Sequence, residues 1–281
     1  MGGCKAVSQR LQVNGVHIGV EQRGDRKQRP LVLLHGFTGS ANGWGPLLDE
    51  LAVASFHVIA IDMLGHGQSD APADPLRYGM EHCQSDIIGV LQQLDIPSGK
   101  AILLGYSMGG RIALYSAFSG YFRALILESA SPGIADPTER EQRRISDMAL
   151  ADRIEREGIE AFVNYWQHLP LFASQNALPA DKRAVLRRQR LQNNPQGLAN
   201  SLRGVGTGVQ PALHERLPNL AIPVLLITGV LDNKFCSIAQ QIQQSLPRAQ
   251  QYVVSEAGHT VHLEQPAMFV KLVKEFCLWT T

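Results

Sequence analysis

The sequence predicts an α/β architecture, a mostly parallel central sheet flanked by helices and interrupted by one inserted helical cap. Three observations carry this expectation. Short apolar runs with the character of buried strands recur along the chain, each followed by a glycine-bearing turn. Stretches of helical sequence separate them. From residue 132 to 217 no strand-like run occurs, and that is too long a gap for a simple crossover. The predicted organisation is therefore a core of residues 1–131 and 218–281, with 132–217 as a cap inserted in the same structural domain.

Taken in order, the first 29 residues read as an antiparallel hairpin on the sheet edge, turning at Asn14-Gly15. PLVLLHG (30–36), FHVIAIDMLGHG (56–67), AILLGYSMGG (101–110), ALILESA (124–130) and IPVLLITG (222–229) are read as successive strands with their exit turns, and AQQYVVSEAGH (249–259) closes the series. Residues 81–94, 111–118 and 238–246 are helical candidates between them.

Composition narrows the function classes. The chain has 281 residues, 44% hydrophobic and 18% charged, a balance that supports a folded core rather than disorder. Lys and Arg number 26 against 25 Asp and Glu, a net charge of +1, so bulk electrostatics gives no reason to expect nucleic acid or a membrane surface as partner. The four cysteines (Cys4, Cys83, Cys236, Cys277) show no CxxC spacing and read as reduced thiols. No apolar run approaches the ~18 residues of a membrane span, and the N-terminus lacks a signal-peptide core. Gly2 and Cys4 faintly outline an acylation site, but Ala6 stands where that pattern wants Ser or Thr. A cytoplasmic protein is expected; no pattern sets an oligomeric state.

The strongest chemical signal is Gly105-Tyr106-Ser107-Met108-Gly109, a G-x-S-x-G between a strand and a helix. A nucleophile on that strained turn needs neighbours without side chains, and Gly105 and Gly109 meet the demand; Gly110 lets the helix approach closely. Serine needs a histidine to take its proton and a carboxylate to orient the imidazole. In the chain order Ser, acid, His, the candidates are Asp232, after VLLITG, and His259. His262 competes with His259, but Gly258 frees the backbone before His259. Glu128, at the end of its strand, is the rival acid, and a strand-end residue bonded to backbone is its bland reading. Oxyanion donors are expected at the backbone N–H groups of Phe37 and Met108. The glycine-rich turn at residues 62–69 lacks both a dinucleotide fingerprint and a Walker lysine. With no HExxH and no third ligand beside His259 and His262, cofactor-free and metal-free chemistry is expected.

These residues alone describe a serine-centred enzyme with ester or amide hydrolysis as its default. Arg111 complicates that. It lies four residues after Ser107 on the same helix, and residues 182–203 hold Lys182, Arg183, Arg187, Arg188, Arg190 and Arg203 with no acid among them. The run reads either as a solvated helix face or, with Arg111, as the lining of a site for a small polyanion.

LLHGFTGS (33–40), GYSMGGRIAL (105–114), PLFAS (170–174), LRGVGTGVQPAL (202–213), DNKF (232–235) and AGHTVHLEQP (257–266) extend the pattern. Through them the chain resembles the 2-succinyl-6-hydroxy-2,4-cyclohexadiene-1-carboxylate (SHCHC) synthases of menaquinone biosynthesis, within the α/β-hydrolase superfamily. The resemblance spans nearly everything past residue 30, cap included. It implies a cofactor-free lyase that eliminates pyruvate from 2-succinyl-5-enolpyruvyl-6-hydroxy-3-cyclohexene-1-carboxylate, a tricarboxylate, in menaquinone or phylloquinone biosynthesis. It also implies Ser107, Asp232 and His259 as a triad in which serine acts as base, with Tyr106 and Arg111 beside it. Arg143 and Arg190 are implied to face substrate carboxylates, where Arg144 or Arg188 could replace a neighbour. Trp166 and Phe172 would form an aromatic wall, and Lys234 a further contact. A carboxylesterase or C–C bond hydrolase with the same triad is the alternative; a binding module that keeps the fold without turnover is a more distant one.

Overall fold

The computed structural model describes residues 6–280, so Gly2 and Cys4 lie outside the described residues. Eight strands form one sheet in the order β1-β2-β4-β3-β5-β6-β7-β8. β1 (Val7–Val13) and β2 (Val16–Arg23) make the predicted edge hairpin, with positive φ at Asn14 and Gly15 as a tight turn of this type requires. β2 also runs antiparallel to β4 (Phe56–Ile61), and from there all pairing is parallel. The parallel set is β4, β3 (Arg29–Leu34), β5 (Ile102–Tyr106), β6 (Ala124–Glu128), β7 (Val224–Gly229) and β8 (Ala249–Val254).

The near-continuous apolar strands are covered on both faces. Side-chain alternation sends Leu31 and Leu33 of β3 toward α1 (Leu47–Val53) and α9 (Pro266–Trp279), neither of which is signalled as a helix in the sequence reading. Val32 and Leu34 face α2 (Met80–Gln93) and α3 (Met108–Ala117). Two predicted strands prove shorter than their apolar runs: β4 stops at Ile61, and β8 stops at Val254, leaving residues 255–260 as the turn that carries His259.

Among the described residues no strand lies between β6 and β7. The chain there forms α4 (Pro137–Trp166), a 3-10 segment (Pro170–Ala177), α5 (Ala180–Leu191) and α6 (Pro195–Val205). Gly158 breaks α4 with φ 80 and ψ 174, a conformation open essentially to glycine. Ala151, Ile154, Phe162 and Val163 of α4 bury against Leu198, Ala199 and Leu202 of α6, and Phe37 joins this small cluster to the main core. Then follow α7 (Asn233–Ser245) and the one-turn α8 (Val261–Glu264). Cys83, Cys236 and Cys277 are free thiols, and no described helix is long and apolar enough to cross a membrane.

Candidate active site

Ser107 stands between β5 and α3 with φ 51 and ψ −108, a strained position for a residue with a side chain. Its N–H donates to the carbonyl of Glu128 at 2.9 Å. The flanking glycines are sterically required. A Cβ on Gly105 would overlap the Gly109 carbonyl, one on Gly109 would overlap the carbonyls of Leu34 and His35, and one on Gly110 would come within 2.6 Å of the Ala130 methyl. Because α3 begins at Met108, Ser107 lies at the positive end of a helix dipole.

The structure brings Ser107, His259 and Asp232 together across 152 and 27 residues of chain. His259 Nε2 lies 3.0 Å from Ser107 Oγ, and Nδ1 lies 2.7 Å from Asp232 Oδ2. A carboxylate accepts, so Nδ1 carries the proton and Nε2 is left to accept from the serine hydroxyl. Asp232 is also the N-cap of α7: its Oδ1 accepts the Phe235 N–H at 3.2 Å, which leaves Oδ2 for the imidazole. Gly258 does not adopt positive φ. Its missing side chain serves close approach, because a Cβ would overlap Ser174 of the 3-10 segment. The reason given for preferring His259 is thus corrected: contact, not backbone freedom, requires the glycine.

The rival pair has its own arrangement. Glu128 is wholly buried and accepts both the backbone N–H and the ring Nδ1–H of His262. It makes no bond to His259.

The N–H groups of Phe37 and Met108 donate to no protein acceptor among the described residues. Phe37 is held by its neighbours: His35 Nδ1 donates to the Gly36 carbonyl at 2.8 Å, while Nε2 accepts the Met63 N–H at 3.0 Å. Both His35 and the adjacent His66 are kept neutral by burial, which lowers their pKa to about 4 and about 3.

A cavity of about 350 Å³ opens above Ser107, lined among others by Phe37, Tyr106, Met108, Arg111, Arg143, Trp166, Phe172, Lys234 and His259. Among the described residues its cations are Arg111, Arg143 and Lys234, and no Asp or Glu lines it. Arg111 is the deep one. Its Nη1 donates to the Val205 carbonyl at 2.7 Å and to Gln210 Oε1 at 2.8 Å, and no carboxylate pairs with it among the described residues. Burial, then Arg143, lowers its pKa to about 10, which leaves it charged at neutral pH. Arg143 sits at the mouth, 44% exposed, with Asp147 at 2.7 Å from its Nε. Lys234 is exposed at the rim. Trp166 and Phe172 meet at a tilt, ring centres 5.6 Å apart, as one wall. The Tyr106 ring faces His259, but its hydroxyl turns away to Thr260 Oγ1 at 2.8 Å.

Arg190 does not line this cavity. It is buried in a smaller neighbouring one, behind Phe172, where Nη2 donates to Gln175 Oε1 at 3.1 Å. Most of the basic run around it is a solvated face: Lys182, Arg183 and Arg188 are exposed, and Arg203 pairs with Asp152 and Glu155 of α4. Arg144 pairs with Glu141. Sequence reading missed Gln210 and Gln175. Gln210 orients Arg111, and Gln175 links Arg190 to Thr260. The only sequence signal for Gln210 was the GTGVQP segment, which carries no chemistry by itself.

A mostly parallel sheet, a serine on a glycine-flanked bend and a hydrogen-bonded Ser–His–Asp arrangement define an α/β hydrolase, and the family model described as alpha/beta hydrolase fold matches residues 29–266. A provisionally assigned 2-succinyl-6-hydroxy-2,4-cyclohexadiene-1-carboxylate synthase of Bacillus subtilis (strain 168) is 47% identical over 265 residues, 94% of this chain and 95% of that protein. The synthase of the same name from Salmonella typhimurium (strain LT2) is 36% identical over 84% of this chain and 89% of its own. MenH from S. aureus superposes with a TM-score of 0.86 at 33% identity, covering 100% of this chain and 99% of that one. The chain belongs to the SHCHC synthase (MenH) family of the α/β hydrolases.

Proposed function

We propose that this protein is a SHCHC synthase of menaquinone biosynthesis, a lyase that eliminates pyruvate from 2-succinyl-5-enolpyruvyl-6-hydroxy-3-cyclohexene-1-carboxylate. One observation carries the reading: a single cavity holds Ser107 hydrogen-bonded to His259 and the cations Arg111, Arg143 and Lys234, with no Asp or Glu in its lining and Arg111 paired with no carboxylate among the described residues. That lining suits a small guest with several carboxylates. In the proposed reaction His259 Nε2 takes the Ser107 proton as the serine oxygen removes the proton alpha to the succinyl ketone. The enolate oxygen is held by the Phe37 and Met108 N–H groups. Collapse of the enolate forms a C2=C3 double bond, shifts the existing C3=C4 double bond to C4=C5 and breaks the C5–O bond to the enolpyruvyl group, which leaves with its electron pair, gains a proton and tautomerises to pyruvate. No acyl-enzyme is needed.

Arg111 would grip one carboxylate from inside, and Arg143 and Lys234 would gather the others at the mouth. Trp166, Phe172 and the ring of Tyr106 would cover the cyclohexene. Arg190, in the adjoining cavity, would reach a carboxylate only if Phe172 moved. Residues 132–217 would act as the cap, and the reaction would run in the cytoplasm without a cofactor.

The test is a coupled assay for pyruvate with the succinyl enolpyruvyl intermediate. Wild-type protein should release stoichiometric pyruvate, and Ser107→Ala should fold normally and release none above background. Fast turnover of aryl esters with a burst, and no pyruvate, would favour the hydrolase alternative instead.

A further inference from the structure

Beside the triad lies a second carboxylate–histidine pair that the proposed chemistry does not use. Glu128 ends β6, an interior strand of the sheet, and is 0% exposed. Burying a carboxylate is costly unless its bonds are well made. Here they are: Oε2 lies 2.7 Å from His262 Nδ1, and Oε1 accepts the His262 backbone N–H at 2.9 Å. His262 comes three residues after His259, so this bond anchors the far side of the turn that carries the imidazole. The same residue holds the serine bend, because the Glu128 carbonyl accepts the Ser107 N–H at 2.9 Å. The His262 ring is boxed by Trp44 at 4.5 Å, Tyr106 at 4.9 Å and Phe269 at 5.9 Å, and Tyr106 in turn lies 5.5 Å from the His259 ring.

We propose that Glu128 and His262 are positioning residues: they tie the His259 turn to the strand end that also holds the Ser107 turn, and so set the 3.0 Å contact between Nε2 and Oγ. What the pair supplies is geometry, not charge. The inference rests on reading Ser107 and His259 as the proton-transfer pair, and misplacing such groups by an ångström costs about a hundredfold in rate.

Two substitutions separate geometry from charge. Glu128→Gln removes the charge but keeps the length; its Oε1 can accept the His262 N–H, and its amide can donate to Nδ1 once the ring proton moves to Nε2. Glu128→Asp keeps the charge but falls a methylene short. Each variant, with Glu128→Ala, is assayed for kcat and KM of pyruvate release and for the rate of Ser107 labelling by a fluorophosphonate, which needs no lyase substrate. Melting temperatures give the folded fraction. Glu128→Asp and Glu128→Ala should lose about tenfold to a hundredfold in both kcat and labelling per folded molecule. KM should stay within about twofold, because Arg111, Arg143 and Lys234 are untouched. Glu128→Gln should stay within about threefold of wild type in both rates.

If Glu128→Ala does not fold, the order of Gln above Asp decides. Asp equal to or above Gln would overturn the proposal, as would wild-type labelling by folded Glu128→Ala or a loss confined to KM. Wild-type protein that labels but releases no pyruvate would sink the functional reading and leave this comparison standing.

Discussion

Replacing Arg111 by alanine tests the polyanion reading where the structure is most explicit. A guanidinium has five N–H donors. Two, on Nη1, are engaged by the Val205 carbonyl and Gln210 Oε1, which fix the plane of the group. The remaining three, on Nη2 and Nε, have no acceptor among the described residues. A substrate carboxylate meeting them would make charge-assisted hydrogen bonds worth about 1.5–3 kcal/mol each, discounted because the cavity is open to water. A total of about 2–4 kcal/mol corresponds to about a 30- to 1000-fold fall in kcat/KM. Arg111→Lys keeps a point charge without the planar fork and should fall between. Initial rates of pyruvate release across a substrate series give kcat/KM, and circular dichroism confirms the fold. Wild-type KM should also rise with salt as the exposed cations at the mouth are screened. Arg111→Ala within threefold of wild type, or a KM indifferent to salt, would refute the assignment of the cavity to a polyanion.

Other outcomes follow from the same geometry. Gly109→Ala drives a methyl into the Leu34 and His35 carbonyls on the adjacent strand, so it should cost about 3 kcal/mol or more and appear as loss of soluble protein or a large drop in denaturation midpoint. His35 and His66 titrate at about 4 and about 3 when folded and near 6.5 when unfolded, so below pH 6.5 the unfolded chain binds protons that the folded one refuses. Their stabilisation is complete above pH 6.5 and shrinks by about 1.4 kcal/mol per group per pH unit, on the order of 4 kcal/mol in total by pH 5. Melting temperature should fall across that interval; a flat profile from pH 7 to pH 5 would contradict the buried neutral assignment.

Much of the site could be read in advance because its constraints are local. The strained bend at Ser107 excludes side chains two residues away, and that leaves glycines at fixed offsets. The Asn14-Gly15 turn is legible for a similar reason, since both residues must tolerate positive φ. Asp232 was visible as a candidate acid because it sits just past a strand and opens a helix. The arginines were harder. Arg111 and Arg190 look alike in sequence, unpaired and near aromatic or small neighbours, yet one faces the cavity and the other lies behind Phe172. Arg143 entered only through the family resemblance, and it is paired with Asp147 one turn further along its helix.

What the chain determined unaided is the set of features written over a few neighbouring residues: strand runs, tight turns, the glycine-flanked serine and the absence of strands from 132 to 217. Apolar periodicity and steric exclusion act over such distances. The tertiary structure alone decided which carboxylate meets which imidazole, that Gln210 holds Arg111, and that Glu128 grips His262 across 134 residues. Those contacts join segments that sequence pattern can assign to a face or a strand end but not to one another, because a hydrogen bond depends on tenths of an ångström that only the packed sheet and its covering helices set.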